Sequence, residues 1–155
     1  MIMTSIDYNA LKQLERELVF VLKEEYSFYQ SLYIKLDQQR DAVKYNKDED
    51  LLDLFAEIER YYTRINNSDE KIKALKERNP ELFRMALALP EVKKIVSSMT
   101  ALVKKNLTLV QESEQYLKEK YERIRSELGE LQNSQKILQY ITAAQQPPLF
   151  IDGKK

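Results

Sequence analysis

The stretch that decides the fold runs from Leu11 to Leu36 and reads LKQLERELVFVLKEEYSFYQSLYIKL. Its apolar residues recur in alternating steps of three and four, a spacing that places them on one side of an amphipathic helix. The positions that share this side are Leu14, Leu18, Val21, Glu25, Phe28 and Leu32. The same steps fit a coiled-coil-like seam, which predicts a long helix packed lengthwise against another.

A second series with the same spacing begins at Leu51. Its members are Leu54, Ile58, Tyr61, Ile65, Ser68, Ile72 and Leu75. A short polar segment, residues 45–48, separates the two series, and Asp48 is predicted to cap the N-terminus of the second helix. A connection this short predicts an antiparallel helical hairpin.

Prolines divide the rest of the chain. Pro80 disfavours helical geometry in the residue before it, so the second helix is predicted to stop at Asn79. Pro90 then starts a third long helix, in which Gly129 is the one weak point and costs about 1 kcal/mol relative to Ala. The sequence therefore predicts an all-α fold, an elongated antiparallel three-helix bundle with a long C-terminal helix. The predicted helices cover about residues 5–45, 48–79, 81–89 and 90–144.

These helices are predicted to form one domain over residues 1–144, followed by a tail over 145–155. The tail contains Pro147-Pro148, which ends any helix, and then the short apolar patch Leu149-Phe150-Ile151. A flexible tail is one interpretation of this composition. A docking segment in extended or polyproline geometry is the other.

The composition excludes much chemistry. The chain has no Cys and no His, which removes disulfides, thiol nucleophiles, Ser-His-Asp triads and the usual zinc, haem and iron–sulfur ligand sets. A carboxylate-only Mg²⁺ or Ca²⁺ site stays possible, but no loop has the EF-hand spacing. Tyrosines and carboxylates form no convergent cluster that would suggest catalysis. We expect a protein that is not an enzyme, with no cofactor and no metal.

The charge is balanced, with 25 Lys plus Arg against 25 Asp plus Glu. A nucleic-acid-binding protein would instead present a basic surface, so we expect no nucleic-acid partner. The longest uncharged apolar runs, such as Leu18 to Leu22, are far too short to span a bilayer. The first ten residues lack the features of a signal peptide. The sequence therefore predicts a cytoplasmic protein with no integral membrane segment.

The first helix carries a second apolar stripe beside its seam. This stripe consists of Leu22, Tyr26, Tyr29 and Tyr33. A helix that lies between two others needs two such stripes, which is the simpler interpretation. Alternatively, part of the stripe stays exposed as a docking patch, since a tyrosine ring buries well while its hydroxyl tolerates water.

The third long helix is apolar over a broader face than one seam requires. Beyond about residue 120 the shorter second helix is not expected to cover this face. An uncovered stripe there would accept a partner's amphipathic helix. Self-association into a homodimer would bury the same face, and the sequence leaves both possibilities open.

Asn106 interrupts one apolar stripe of the same helix. A buried amide at a seam position fixes the register of packed helices at some cost in stability. The same side chain could instead hydrogen-bond the backbone of a bound peptide.

Several stretches together resemble a known family. They are the Leu/Glu-rich Leu11 to Leu18, the acidic-apolar Asp50 to Ile58, the Asn106-containing Leu102 to Val110 on a long C-terminal helix, and the tail Gln146 to Gly153. In this organisation, which covers most of the chain, the sequence resembles the FlgN-like flagellar export chaperones.

The resemblance implies a cytosolic chaperone with an elongated helical bundle fold. Such a chaperone would bind the C-terminal segment of the hook-filament junction proteins FlgK and FlgL, keep them unassembled and deliver them to the type III export gate. Since family members contact cargo through the C-terminal helix, the expected cargo contacts are Leu107, Val110, Leu117, Tyr121, Ile124, Leu128 and Leu131. Two other classes stay open: a structural coiled-coil protein that self-associates or scaffolds an assembly, and a helical protein that binds membrane surfaces.

Overall fold

A computed structural model describes residues 5–145, with side chains from Tyr8 onward, and confirms the predicted all-α helical bundle. The helices are α1 (Ser5–Lys44), α2 (Leu51–Arg78), α3 (Pro80–Leu87) and α4 (Pro90–Gln145), with a 3₁₀ turn at Asp48–Asp50. No strand occurs among residues 5–145. The apolar patch predicted for the C-terminal tail lies outside the described residues.

The chain divides into two compact units at Glu114 and Gln115. Unit 1 contains α1, α2, α3 and the first part of α4, residues 90–114. The described part of unit 2 is the remainder of α4, residues 115–145. The prediction of one domain over residues 1–144 stays a prediction.

The turn after α1 is closed by Asn46, whose φ of 58° lies in the left-handed region that Asn adopts more readily than most residues. The Lys47 N–H donates to the Ala42 carbonyl at 2.8 Å and the Asn46 N–H to the Val43 carbonyl at 3.5 Å, the pattern of a Schellman motif. The prediction that Asp48 caps α2 was wrong. Asp48 begins the 3₁₀ turn instead, and Leu51 starts α2 without a side-chain cap.

The junction between α2 and α3 follows from Asn79 and Pro80. Asn79 is extended, as expected before proline, and its side-chain oxygen accepts a hydrogen bond from the Leu82 N–H at 3.2 Å. Asn79 therefore separates α2 from α3 and caps the N-terminus of α3. Pro80 occupies the first turn of α3, where its missing N–H costs nothing.

Ion pairs and hydrogen bonds within unit 1 give the direction of each long helix. From α1 to α2, Glu17 pairs with Arg78, Glu24 with Lys71 and Lys35 with Glu57, so α2 runs antiparallel to α1. From α1 to α4, ion pairs join Lys23 to Glu91 and Arg40 to Glu112, and a hydrogen bond joins Tyr29 to Asn106. Because residue numbers rise together along the two helices, α4 runs parallel to α1. Unit 1 is thus an up-down-up bundle, and α3 links its second and third long helices.

Two apolar clusters form the core of unit 1. The first joins the N-terminal half of α1 to α3 and the start of α4, with the buried residues Leu11, Leu14, Leu18, Leu22, Phe83, Ala86 and Val92. The second joins the C-terminal half of α1 to α2 and α4, with the buried residues Leu32, Leu36, Ile58, Ile65 and Leu109. Each fully buried leucine contributes about 1.5–3 kcal/mol, so both clusters stabilise the bundle strongly.

A polar layer separates these two clusters, and it consists of Glu25, Ser68 and Asn106. On each long helix, the polar residue lies in sequence between residues of the first cluster and residues of the second. All three side chains are buried. Glu25 and Ser68 are the polar residues within the two apolar series that predicted the hairpin, one in α1 and one in α2. Both are buried at the seam between the helices.

Candidate partner-binding surface

The candidate functional features of the described residues are exposed apolar surfaces and buried polar groups. Among residues 5–145, no group of three or more acidic side chains is arranged to hold a metal ion. Within the same range, no helix combines the length and the apolar character needed to cross a membrane.

The main candidate surface is an apolar stripe in unit 2, formed by Leu117, Tyr121, Ile124, Leu128 and Leu131. All five side chains are exposed, with between 44% and 67% of their surface accessible. Their spacing of four, three, four and three residues places them on one side of α4. We call this set the unit-2 stripe. It contains five of the seven residues for which the sequence predicted cargo contact.

The stripe extends beyond the residues that the sequence analysis selected. Leu138 lies one heptad after Leu131 and is also exposed, as is Ile141. Gln135 occupies the intervening position, and the cargo contacts selected from the sequence end before it, at Leu131. Seven-residue spacing from Leu131 is the signal that could have identified Leu138.

Charged residues border the unit-2 stripe unequally. Lys118 and Arg125 occupy adjacent positions along one edge, and Lys120 and Glu127 occupy the other. Three of these four side chains are basic. A helix that packs on the stripe would therefore be favoured by acidic residues along its own edges.

Gly129 does not interrupt the helix that carries the stripe. The helix continues through this residue to Gln145. Apart from the backbone of its own helix, no atom of the described residues lies within 4 Å of a Cβ added at Gly129. A methyl group at this position would therefore extend into open space.

The other two predicted contact residues lie in unit 1 and differ from each other. Leu107 is exposed. Val110 is partly buried and packs against the second apolar cluster, next to Leu109. Val110 is thus an edge residue of the core, whereas Leu107 is available on the surface of unit 1.

The tyrosine stripe of α1 is mostly covered. Leu22 is buried, Tyr26 and Tyr29 are half-buried, and Tyr33 is at the margin of exposure. Leu22 belongs to the first apolar cluster and Tyr29 packs against the second. The simpler interpretation, in which the stripe serves packing between helices, therefore accounts for most of it.

Asn106 is buried at the seam of unit 1. Its side-chain amide donates a hydrogen bond to the Tyr29 carbonyl at 3.3 Å, and its side-chain oxygen has no hydrogen-bond partner in the part of the chain that the structure describes. The amide thus links α4 to α1 within the chain. This arrangement favours a register-fixing role over hydrogen bonding to a bound peptide.

Glu25 is the most unusual ionisable group in the structure. Its side chain is only 1% exposed, and burial together with the neighbouring Asp69 carboxyl raises its pKa to about 8. A protonated Glu25 can donate a hydrogen bond to Asp69, while its second oxygen has no hydrogen-bond partner among residues 8–145. Burial and these carboxylates also raise the pKa of Tyr29 to about 12. Burial therefore favours the protonated, neutral form of Glu25 near pH 7.

Comparison with known proteins adds no assignment. No protein-family model matches the chain, and no curated protein or solved structure is significantly similar to it.

Proposed function

We propose that this protein is a FlgN-like flagellar export chaperone in the cytoplasm. It binds the C-terminal segment of hook-filament junction proteins of the FlgK and FlgL class, keeps them unassembled and delivers them to the type III export gate. Two independent lines support the proposal: the resemblance in the organisation of the sequence, and a surface suited to binding an amphipathic helix.

The observation that carries the proposal is the exposure of the unit-2 stripe. Five apolar side chains on one side of a helix stay accessible over two heptads. Leu138 extends this accessible side by a third heptad. Covering a large apolar side chain contributes about 1.5–3 kcal/mol, so a partner helix that covers several of them gains substantial affinity. An exposed apolar surface of this kind supports a role in binding a partner.

The partner that fits best is an amphipathic helix with apolar residues at steps of three and four. Acidic residues along its edges would meet Lys118 and Arg125 on one side of the stripe. These surface charges contribute to orientation and association rate more than to affinity. Release of the cargo needs no chemistry in this chain, since a competitor for the stripe or for the cargo is sufficient.

The proposal is tested by size-exclusion chromatography with light scattering on the full chain mixed with a hook-filament junction protein. The expected result is a stable one-to-one complex that disappears when the C-terminal helix of the junction protein is removed. Failure of the intact junction protein to form a complex would overturn the proposal.

Self-association as a structural coiled-coil protein is the second candidate, and the heptad spacing of the stripe favours it. In a parallel pair, however, Lys120 of one copy would face Arg125 of the other, and this repulsion disfavours that arrangement. The same light-scattering measurement on the chain alone distinguishes the candidates. A tight homodimer that ignores the junction protein would put self-association first.

A further inference from the structure

A groove of about 530 Å³ opens in unit 1, separate from the unit-2 stripe. Helices α1, α2 and α3 and the unit-1 part of α4 all contribute to it. Its lining includes Leu22, Glu25, Asp69, Phe83, Val103 and Lys104. Volumes of this size are typical of binding sites, which are mostly apolar with a few polar groups.

The charged groups of this lining are distributed unequally among the helices. Glu25 from α1 and Asp69 from α2 form a carboxyl pair. Lys104 lies on the α4 side, and no ion pair links it to another described residue. The remaining lining is mainly aliphatic and aromatic, so the groove combines an apolar surface with one acidic position.

Glu25 has a carboxyl oxygen that could accept a hydrogen bond from a bound partner. Its side chain is buried, and one carboxyl oxygen has no hydrogen-bond partner among the described residues. A buried polar atom without a partner is rare in folded proteins and costs stability. A donor that reached this oxygen would remove that cost.

We propose that this groove is a docking site for a helix of another protein that carries one Lys or Arg among apolar side chains. The apolar side chains cover the groove, and the cation binds the Glu25–Asp69 carboxyl pair. A helix is the occupant that we favour, because a surface groove lined by several helices suits the side chains of an amphipathic helix. Lys104 orients the partner, since its charge repels the partner's cation from the α4 side.

Docking at the carboxyl pair also changes its protonation. Glu25 lies beside Tyr29 on its own helix and Asp69 on α2. Lys104 lines the same groove from α4, and α3 contributes the apolar Phe83. Burial and the neighbouring Asp69 carboxyl favour protonated Glu25 in the empty groove, because they raise its pKa to about 8. A cation beside the pair favours the ionised carboxylates, so binding releases about one proton.

The experiment uses the full chain with Ile124→Asp, which disables the unit-2 stripe. The probes are two blocked 18-residue helical peptides with leucines at steps of three and four and otherwise Gln and Ala. They differ at one central position on the apolar face, which is Lys in one peptide and norleucine in the other. Isothermal titration calorimetry at pH 7 in phosphate and in Tris gives the affinity and, from the difference in enthalpy, the number of protons released.

The Lys peptide is expected to bind at least about tenfold more tightly than the norleucine peptide and to release about one proton. Glu25→Gln with Asp69→Asn should remove both the preference and the proton release. If this double variant does not fold, the exposed Asp69→Asn alone should still reduce the preference. Glu70→Gln removes the same charge from the neighbouring, exposed position and should preserve the preference.

Three outcomes would overturn the proposal: no binding of the Lys peptide, equal affinity for both peptides, or a preference that survives in the carboxyl variants. Because Ile124→Asp is present throughout, none of these outcomes bears on cargo binding at the unit-2 stripe. The groove proposal and the chaperone proposal therefore fail independently.

Discussion

The two units use the same helical pattern differently. In unit 1, the part of α4 up to Glu114 buries Val92, Asn106, Leu109 and Ser113. In unit 2, the residues of α4 from Tyr121 to Gln145 are all exposed, including apolar residues at heptad spacing. Periodicity thus determines which side of a helix is apolar, whereas the neighbouring helices determine whether that side is covered.

The largest expected effect is a change with pH in the free energy of unfolding of unit 1. It arises from Glu25. Its pKa is raised from 4.5 to about 8 in the folded state. Below pH 4.5 the carboxyl is protonated in both the folded and the unfolded state, so its full contribution to stability is present at those pH values. Between these values only the unfolded state releases the proton, and the free energy of unfolding falls by about 1.4 kcal/mol per pH unit. The contribution is lost as the pH rises through 8.

Urea unfolding between pH 5.5 and 8 measures this slope directly. The chain has no His and no Cys, so no side chain with an ordinary pKa titrates in this window. Glu25→Gln should flatten the slope and leave the protein more stable than wild type at pH 8. A wild-type stability that does not change across the window would contradict the burial of an ionisable Glu25.

The second prediction compares leucines in the two parts of α4. Leu109→Ala removes a buried side chain from the core of unit 1 and should lower the free energy of unfolding by about 2–5 kcal/mol. Leu128→Ala is the matched change in unit 2 and should cost no more than about 0.5 kcal/mol, because Leu128 is exposed. Both values come from urea unfolding. Equal costs would mean that Leu128 is covered in solution.

A charge introduced into the unit-2 stripe tests its role in binding. Ile124→Asp should weaken binding of the junction protein by at least about tenfold, since the carboxylate would have to be desolvated beneath the partner. Its melting temperature and helical circular dichroism should stay close to wild type. Ser126→Asp adds the same charge to an exposed position of α4 off the stripe and should bind normally. Unfolding of the Ile124→Asp variant would instead assign Ile124 to the core.

Asn106→Leu should change the free energy of unfolding less than Leu109→Ala does, and in the stabilising direction. The change removes an amide whose oxygen has no hydrogen-bond partner among the described residues and replaces it with an apolar side chain of the same branched shape. Stability should stay the same or rise by about 1 kcal/mol in urea unfolding. If Asn106 fixes the register, nuclear magnetic resonance spectra of the variant should show more than one packed state. A large loss of stability would mean that its bond to Tyr29 contributes more than a typical hydrogen bond.

Gly129→Ala is expected to have the smallest effect. Nothing lies within 4 Å of the added methyl group, and alanine favours a helix by about 1 kcal/mol over glycine. Slower amide hydrogen exchange around residue 129 should report the gain, and cargo binding should be unchanged. A clear loss of binding would place Gly129 in the interface.

The sequence was sufficient to predict the all-α bundle, because the seam residues of α1 and α2 recur with little interruption. Pro80 and Pro90 similarly marked the starts of α3 and α4. The start of α2 was less predictable, since Asp48 could form either a cap or the first residue of a 3₁₀ turn.

The surfaces were harder to predict, because exposure depends on contacts between distant segments. Leu107 and Val110 belong to one apolar series, yet only Val110 packs against the core. The pairing of Glu25 with Asp69 depends on the register of α1 against α2, which spacing within each helix does not specify. The groove is similarly invisible in the sequence, because four helices contribute to it.

Amide hydrogen exchange on the full chain, with and without the junction protein, tests most directly whether the unit-2 stripe is the cargo surface. Binding should slow exchange over residues 117–138 and leave the buried seam around Leu109 unchanged. Protection confined to unit 1, or no protection in either unit while a complex forms, would contradict the assignment of cargo binding to the stripe.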